Sequence, residues 1–162
     1  MQSRRFDLVT FIASLFGTGF LPFMPGTFGT AVAALIYFIL PGAWFHGVPA
    51  YIFAAALIVF SLAASLISTL AEKRLGHDAP QIVIDELCGY FVAVLFLPHG
   101  LMTAIYAFVL FRVFDIAKPF PANRAQKVSK GWGVVLDDLV AGFYANIALQ
   151  ILIRIFPRFF GI

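Results

Sequence analysis

From Val48 to Ala71 the chain runs without a single Asp, Glu, Lys or Arg. About 20 mainly apolar residues, wound as an α-helix, are enough to cross the hydrocarbon core of a bilayer. A soluble domain can hide such a helix only if the rest of the chain is polar enough to surround it. Here it is not: 62% of the 162 residues are hydrophobic and 12% are charged, against about 25% charged in an ordinary soluble domain. Mean hydropathy is +0.96, more apolar surface than a domain of this length can bury. The expected fold class is therefore all-α: a polytopic integral membrane helical bundle, with residues 1–162 forming one domain.

Six apolar segments are candidates, near 6–21, 28–45, 48–71, 82–97, 100–117 and 134–156. The first is broken by Gly17, Gly19, Pro22 and Pro25 and reads as a re-entrant or interfacial helix. The fourth is short, carries Asp85 and Glu86 near its start, and could be tilted or partly buried. About four to five spans remain. Arg4 and Arg5 before the first run resemble a secretory leader, but no small-residue cleavage site follows.

Basic residues orient the bundle. Arg4 and Arg5, then Lys73 and Arg74, then Lys118, Arg124, Lys127 and Lys130 occupy alternate connections. The intervening ones, near Gly42–Gly47 and Pro98–Gly100, have no Lys or Arg. The positive-inside rule puts the basic set in the cytoplasm. Arg154 and Arg158 fall at the opposite end, where long side chains can snorkel to headgroups.

This topology gathers acids. Asp85 and Glu86 start an outgoing segment, Asp115 ends an incoming one, and Asp137 and Asp138 start the last. Ionisable groups in a span cost about 2.5–3.5 kcal/mol each on insertion scales and usually mark a site. Taken singly, Asp137 and Asp138 could cap a helix and Asp115 could simply pair with Arg112 or Lys118. Taken together, two adjacent-acid pairs repel unless a cation or protons intervene. Carboxylate oxygens suit a hard cation such as Mg²⁺, which also takes water and substrate phosphate. Arg112, Asp115 and Lys118 recur every third residue and share a helical face about 120° wide, so basic groups flank a carboxylate as phosphate binding requires.

The stretch GTGFLPFMPGTFGT, residues 17–30, lacks the Gly-Lys-Ser/Thr ending of a nucleotide-binding P-loop. Its Pro25-Gly26-Thr27 turn opens a helix, either as an ordinary turn capped by Thr27 or as free N–H groups for an anion. On the same membrane face as the acids, phosphate or headgroup binding by Gly26 and Thr27 is favoured. His46, His77 and His99 have no metal-ligand spacing, and Cys88, the single cysteine, excludes an intrachain disulfide. No aromatic–basic interleaving of a nucleic-acid binder is present.

The segments GTGFLPFMPGTFG (17–29), IVIDELCGY (82–90), FRVFDIAKPFP (111–121) and GWGVVLDDLVAG (131–142) resemble the phosphatidylglycerophosphatase A family, in the family's order and over nearly the whole chain. The resemblance implies a phosphoric monoester hydrolase of the bacterial inner membrane, Mg²⁺-dependent, its site facing the cytoplasm. It would convert phosphatidylglycerol phosphate to phosphatidylglycerol and inorganic phosphate. The family's acidic positions fall on Asp85, Glu86, Asp115, Asp137 and Asp138, its basic ones on Arg112 and Lys118, and its turn on Pro25, Gly26 and Thr27.

The expected scheme puts Mg²⁺ among Asp85, Glu86, Asp137 and Asp138, with Arg112 and Lys118 on the phosphate oxygens. The nucleophile is either metal-activated water, with Asp115 or Glu86 as base, or Asp115 itself. The alternative from another class is an ion-coupled transporter using intramembrane acids. It expects those acids at mid-membrane depth rather than at segment ends beside basic loops.

Overall fold

The computed structural model describes residues 7–125 and 131–162. Of the basic residues that oriented the chain, Arg4, Arg5, Lys127 and Lys130 lie outside this set. Every regular element described is helical. In chain order they are α1 (Leu8–Ala13), α2 (Pro25–Ile39), α3 (Gly47–Leu75), α4 (Ile84–Val94), α5 (Leu101–Ala117), α6 (Ala122–Ala125) and α7 (Gly131–Ile155), with short 3₁₀ turns between some of them.

The N-terminal segment turns back, as its glycines and prolines imply. Asp7 caps α1 by accepting from the Thr10 N–H at 3.0 Å, and Thr10 reciprocates through its hydroxyl. That N–H bond, with Arg74 at 2.8 Å, holds the Asp7 carboxyl below its usual range. The Ala13 carbonyl then accepts the Val83 N–H at 2.9 Å, which ties α1 to the entrance of α4.

Among the described helices, two are long and apolar enough to cross a membrane, α3 and α7. The expected count was about four to five. The difference has a local cause. Apolar composition continues through turns where helical backbone does not. The 28–45 run stops being helical at Ile39, because Pro41 disfavours α backbone at the residue before it. The 82–97 run is helical only from Ile84 to Val94, about 16 Å at 1.5 Å per residue.

Helix α7 is the hub. It packs on α4, α5 and α3, while α2 closes the other side against α4 and α5. Tyr37, Tyr90, Phe91, Phe111, Ala141, Ala145 and Leu149 form one core cluster; Ala13, Ile82, Ile84, Val134 and Val135 belong to a second, nearer the helix ends that carry the acids. The α4–α7 crossing depends on glycine: a Cβ on Gly142 would collide with the Gly89 carbonyl, and one on Gly89 would sit 2.7 Å from the Asp138 carbonyl oxygen. Gly142→Ala should therefore cost about 1–3 kcal/mol of overpacking, read as earlier thermal unfolding in detergent, and lower activity by parting acids carried on α4 from those on α7. An unchanged midpoint would mean that the helices part without strain.

Polarity is distributed inside out. Leu35, Ile58, Val59, Leu66, Val109, Val113 and Ile151 are exposed, while Asp85, Glu86, Asp137 and Asp138 are between 3% and 8% exposed. An apolar exterior of this extent meets something other than water.

Candidate active site

The first turn of α4 supplies Asp85 and Glu86. Both face the positive end of that helix, which favours carboxylates. The last turns of α5 supply Arg112 and Asp115. The chain then leaves α5 through Lys118, whose left-handed backbone (φ 42°) lets the side chain swing back over the helix end, where its Nζ reaches Asp137 Oδ2 at 2.5 Å.

Helix α7 supplies Asp137 and Asp138, but not as caps. It begins at Gly131, almost one turn earlier than the apolar run expected from residue 134. The reason is contact with α3. A side chain at Gly131 would overlap the Ser65–Thr69 turn, and its N–H instead donates to Thr69 Oγ1 at 3.1 Å.

Gly26 approaches from α2. Two consecutive left-handed residues, Phe23 (φ 67°) and Met24 (φ 49°), turn the chain into Pro25 and set Gly26 against Glu86 and Arg112. A Cβ there would strike Glu86 Oε1 and sit 3.0 Å from Arg112 Nη1, so a side chain at this position would have to displace the Glu86–Arg112 pair. Thr27 lies on the same first turn without lining the cavity, and its hydroxyl is buried and unpartnered.

These elements enclose a cavity of about 290 Å³. Asp85, Glu86, Arg112, Asp115, Lys118, Asp137, Asp138 and Gly26 all line it, so one cavity unites every anticipated site residue except Thr27. Pairings within it sort the acids. Glu86 accepts from Thr30 Oγ1 at 2.8 Å and from Arg112 Nη1 at 2.6 Å to both oxygens. The same Nη1 reaches Asp115 Oδ2 at 2.9 Å. Arg112 thus bridges Glu86 and Asp115, and Asp115 also joins Asp137 and Asp138 in a cluster with ligand atoms within 4.8 Å of one another.

Two residues not anticipated also belong here: Asp78, which lines the cavity, and Thr30, which fixes Glu86. Thr30 lies one turn beyond Gly26 on the same face, a spacing that sequence could have flagged. Asp78 sits in a loop and offers no periodic signal.

The electrostatics favour a cation or bound protons among the acids. Six carboxylates and two basic side chains line the cavity among the described residues. Two carboxylates at 4.8 Å repel by roughly 3 kcal/mol at an effective dielectric of about 20. Asp85 Oδ1, Asp137 Oδ1 and Asp138 Oδ2 are buried with no hydrogen-bond partner, an arrangement that costs energy unless something else satisfies them. No His or Cys lines the cavity. An all-oxygen donor set of this kind fits a hard divalent cation and suits neither zinc nor copper.

Arg112 Nε is also buried and unpartnered. The site therefore holds spare acceptors for a cation next to a spare donor for an anion, which is what handling a phosphate requires.

Comparison with known proteins agrees with this chemistry. The sequence model of the phosphatidylglycerophosphatase A family matches residues 11–153. A protein of Bacteroides thetaiotaomicron named "Putative phosphatidylinositol-3-phosphatase" is 34% identical over 89% of this chain and 92% of its own length. Phosphatidylglycerophosphatase A of Haemophilus influenzae is 34% identical over 83% of this chain and 82% of its own, and that of Escherichia coli is 29% identical over 78% and 73%. No solved structure matches the chain. With a family match that covers nearly all of its helices and the whole of the acidic cavity, the chain belongs to the phosphatidylglycerophosphatase A family and is a phosphatase.

Proposed function

We propose that the protein removes the terminal phosphate of phosphatidylglycerol phosphate in a Mg²⁺-dependent hydrolysis, at the cytoplasmic face of a bacterial inner membrane. One observation carries this reading: a cavity that gathers unpartnered carboxylate oxygens and an unpartnered arginine N–H, inside a bundle whose exterior is apolar. The names of the three relatives support it, since each describes removing a phosphate from a phosphatidyl headgroup.

In this reading α3 and α7 cross the bilayer, with α2 and α5 beside them, while α4, nearly all of it buried, forms the centre. Helix α1 and the turn after it lie at the interface, where Leu8, Phe16, Leu21 and Phe23 are exposed. Lys73, Arg74, Lys118 and Arg124 fall at one end of the bundle, which the positive-inside rule assigns to the cytoplasm. The acids gather at that end, in support of a headgroup site and against a transport path through mid-membrane.

Asp115, Asp137 and Asp138 would hold Mg²⁺, which supplies a Lewis acid that draws charge off the phosphoryl oxygens. Arg112 is positioned by Glu86 and Asp115 through Nη1, which leaves Nε to donate to a phosphate oxygen. Lys118 adds a second cationic donor, held at the cavity by Asp137. Water attacks phosphorus and loses a proton to a carboxylate of the cluster. The bond from phosphorus to the glycerol oxygen breaks, and that oxygen takes the proton back from the carboxylate and leaves as an alcohol, with inorganic phosphate as the other product. Charge neutralisation and positioning account for most of such an acceleration.

The test is phosphate release from phosphatidylglycerol phosphate by purified protein in detergent. Release that requires Mg²⁺ and stops in EDTA is expected. No release from folded protein under any divalent cation would overturn the reading.

A further inference from the structure

The cavity accounts for a headgroup, but a phospholipid substrate also has acyl chains that must run somewhere once the phosphate is seated. The geometry points to the outward face between α2 and α5 as the track for a substrate acyl chain, an inference that rests on the phospholipid phosphatase reading above.

Both helices reach the polar cavity and both carry an unbroken apolar stripe away from it. Met24 and Ile116 line the cavity itself. From Met24, which caps α2, the stripe continues through Phe28, Ala31, Leu35 and Phe38, spaced by three or four residues, so that they stack on one face. From Ile116 the stripe on α5 runs back through Val113, Val109 and Ile105 at the same spacing. Of these, every residue but Ala31 is exposed.

Between the stripes lies a groove of about 360 Å³, with a floor made shallow-sided by Ala31, Ala34 and Ala104 and almost no polar lining. At about 1.5 Å per residue, Met24 to Phe38 covers about 21 Å and Ile105 to Ile116 about 16 Å. Either exceeds half of a hydrocarbon core about 30 Å thick, which is the depth one acyl chain fills.

The outer face between α3 and α7 offers a comparable apolar groove, of about 390 Å³. Its connection is one-sided. Helix α7 lines both this groove and the polar cavity, but no residue of α3 lines the cavity, whereas α2 and α5 both reach it from the other groove. A substrate whose phosphate meets Arg112 has its glycerol beside Met24 and Ile116 and its tail between α2 and α5.

Chain-length dependence tests this. Ala31→Phe fills the groove without touching the polar cavity, and Ala54→Phe does the same to the α3–α7 face. For dipalmitoyl phosphatidylglycerol phosphate, Ala31→Phe should lower kcat/KM by about tenfold or more, the usual scale for blocking apolar contacts of a substrate. Turnover of the dihexanoyl lipid should stay within about twofold of wild type, and Ala54→Phe should leave both substrates alone.

A second readout needs neither catalysis nor a substitution. In metal-free wild-type protein, a palmitoyl chain carrying a diazirine at mid-chain should label peptides within 28–38 and 101–113. The assignment is overturned if Ala31→Phe slows both lipids equally or neither, if Ala54→Phe produces the chain-length effect, or if labelling falls on α3. It is also overturned if Ala31→Phe halves the mass of the detergent complex, since a second copy of the chain then covers this face. Wild type that hydrolyses neither lipid would instead defeat the phosphatase reading itself.

Discussion

Asp138→Asn is expected to lower phosphate release by about 10³-fold or more while the protein folds normally. That scale follows from removing one preorganised electrostatic contribution, about 10²–10³ for a single donor, together with part of a cation site. Asp138 is 3% exposed, its Oδ2 has no hydrogen-bond partner, and it shares a cluster with Asp115 and Asp137. Asparagine keeps the shape and removes one negative charge from a cavity that already has too many. Relief of like-charge repulsion means that the metal-free variant should unfold no earlier than metal-free wild type.

The metal should reveal the loss. Wild type should gain stability with Mg²⁺ through binding of the ion to the folded state, and the variant should gain much less. Activity lost together with the Mg²⁺-dependent rise in unfolding temperature places Asp138 at the cation site. Near-normal turnover at saturating Mg²⁺ would remove it from the mechanism.

Much of this site was legible because charge is conspicuous in an apolar chain. Asp85, Glu86, Arg112, Asp115, Lys118, Asp137 and Asp138 stand out against their neighbours, and alternating basic loops are enough to bring them to one level. Which acid meets which base was not legible. The Glu86 ion pair and its Thr30 bond join residues on three helices, and they depend on how each helix is rotated about its axis. Hydropathy carries almost no information on that rotation when every face of a helix is apolar. Sequence therefore left Glu86 as a cation ligand or a base and Asp115 as a base or the nucleophile; the folded chain adds that Arg112 bridges the two and that Asp115 also lies beside the α7 acids.

Helix extents were less legible than helix existence. Composition does not distinguish a helical leucine from one in a turn, so Leu40 and Leu95 were counted into spans that end before them. The start of α7 was hidden for the opposite reason. Gly131-Trp132-Gly133 has the composition of a loop, yet the missing side chain at Gly131 is what lets the helix begin against α3. A glycine that permits close approach and one that permits a turn are the same letter, and only the partner surface separates them.

Arg112→Ala should be the most destabilising single change in the cavity, and its cure should not restore activity. One guanidinium nitrogen bridges Glu86 and Asp115, which are 9% and 14% exposed at their side chains. Removing it leaves buried carboxylates uncompensated, at a cost of about 3–5 kcal/mol. Glu86→Gln in the Arg112→Ala background removes one of those stranded charges while keeping an acceptor for Thr30 Oγ1. The double variant should therefore recover part of the lost stability, with a coupling of about 0.5–3 kcal/mol between the two sites in unfolding measurements. Phosphate release should stay low in both, because the Nε donor is gone along with the ion pair. If Glu86→Gln brings no recovery, Arg112 is not what makes the buried Glu86 charge tolerable. If the double variant regains turnover, Arg112 acts on the fold alone and the phosphate is held by something else.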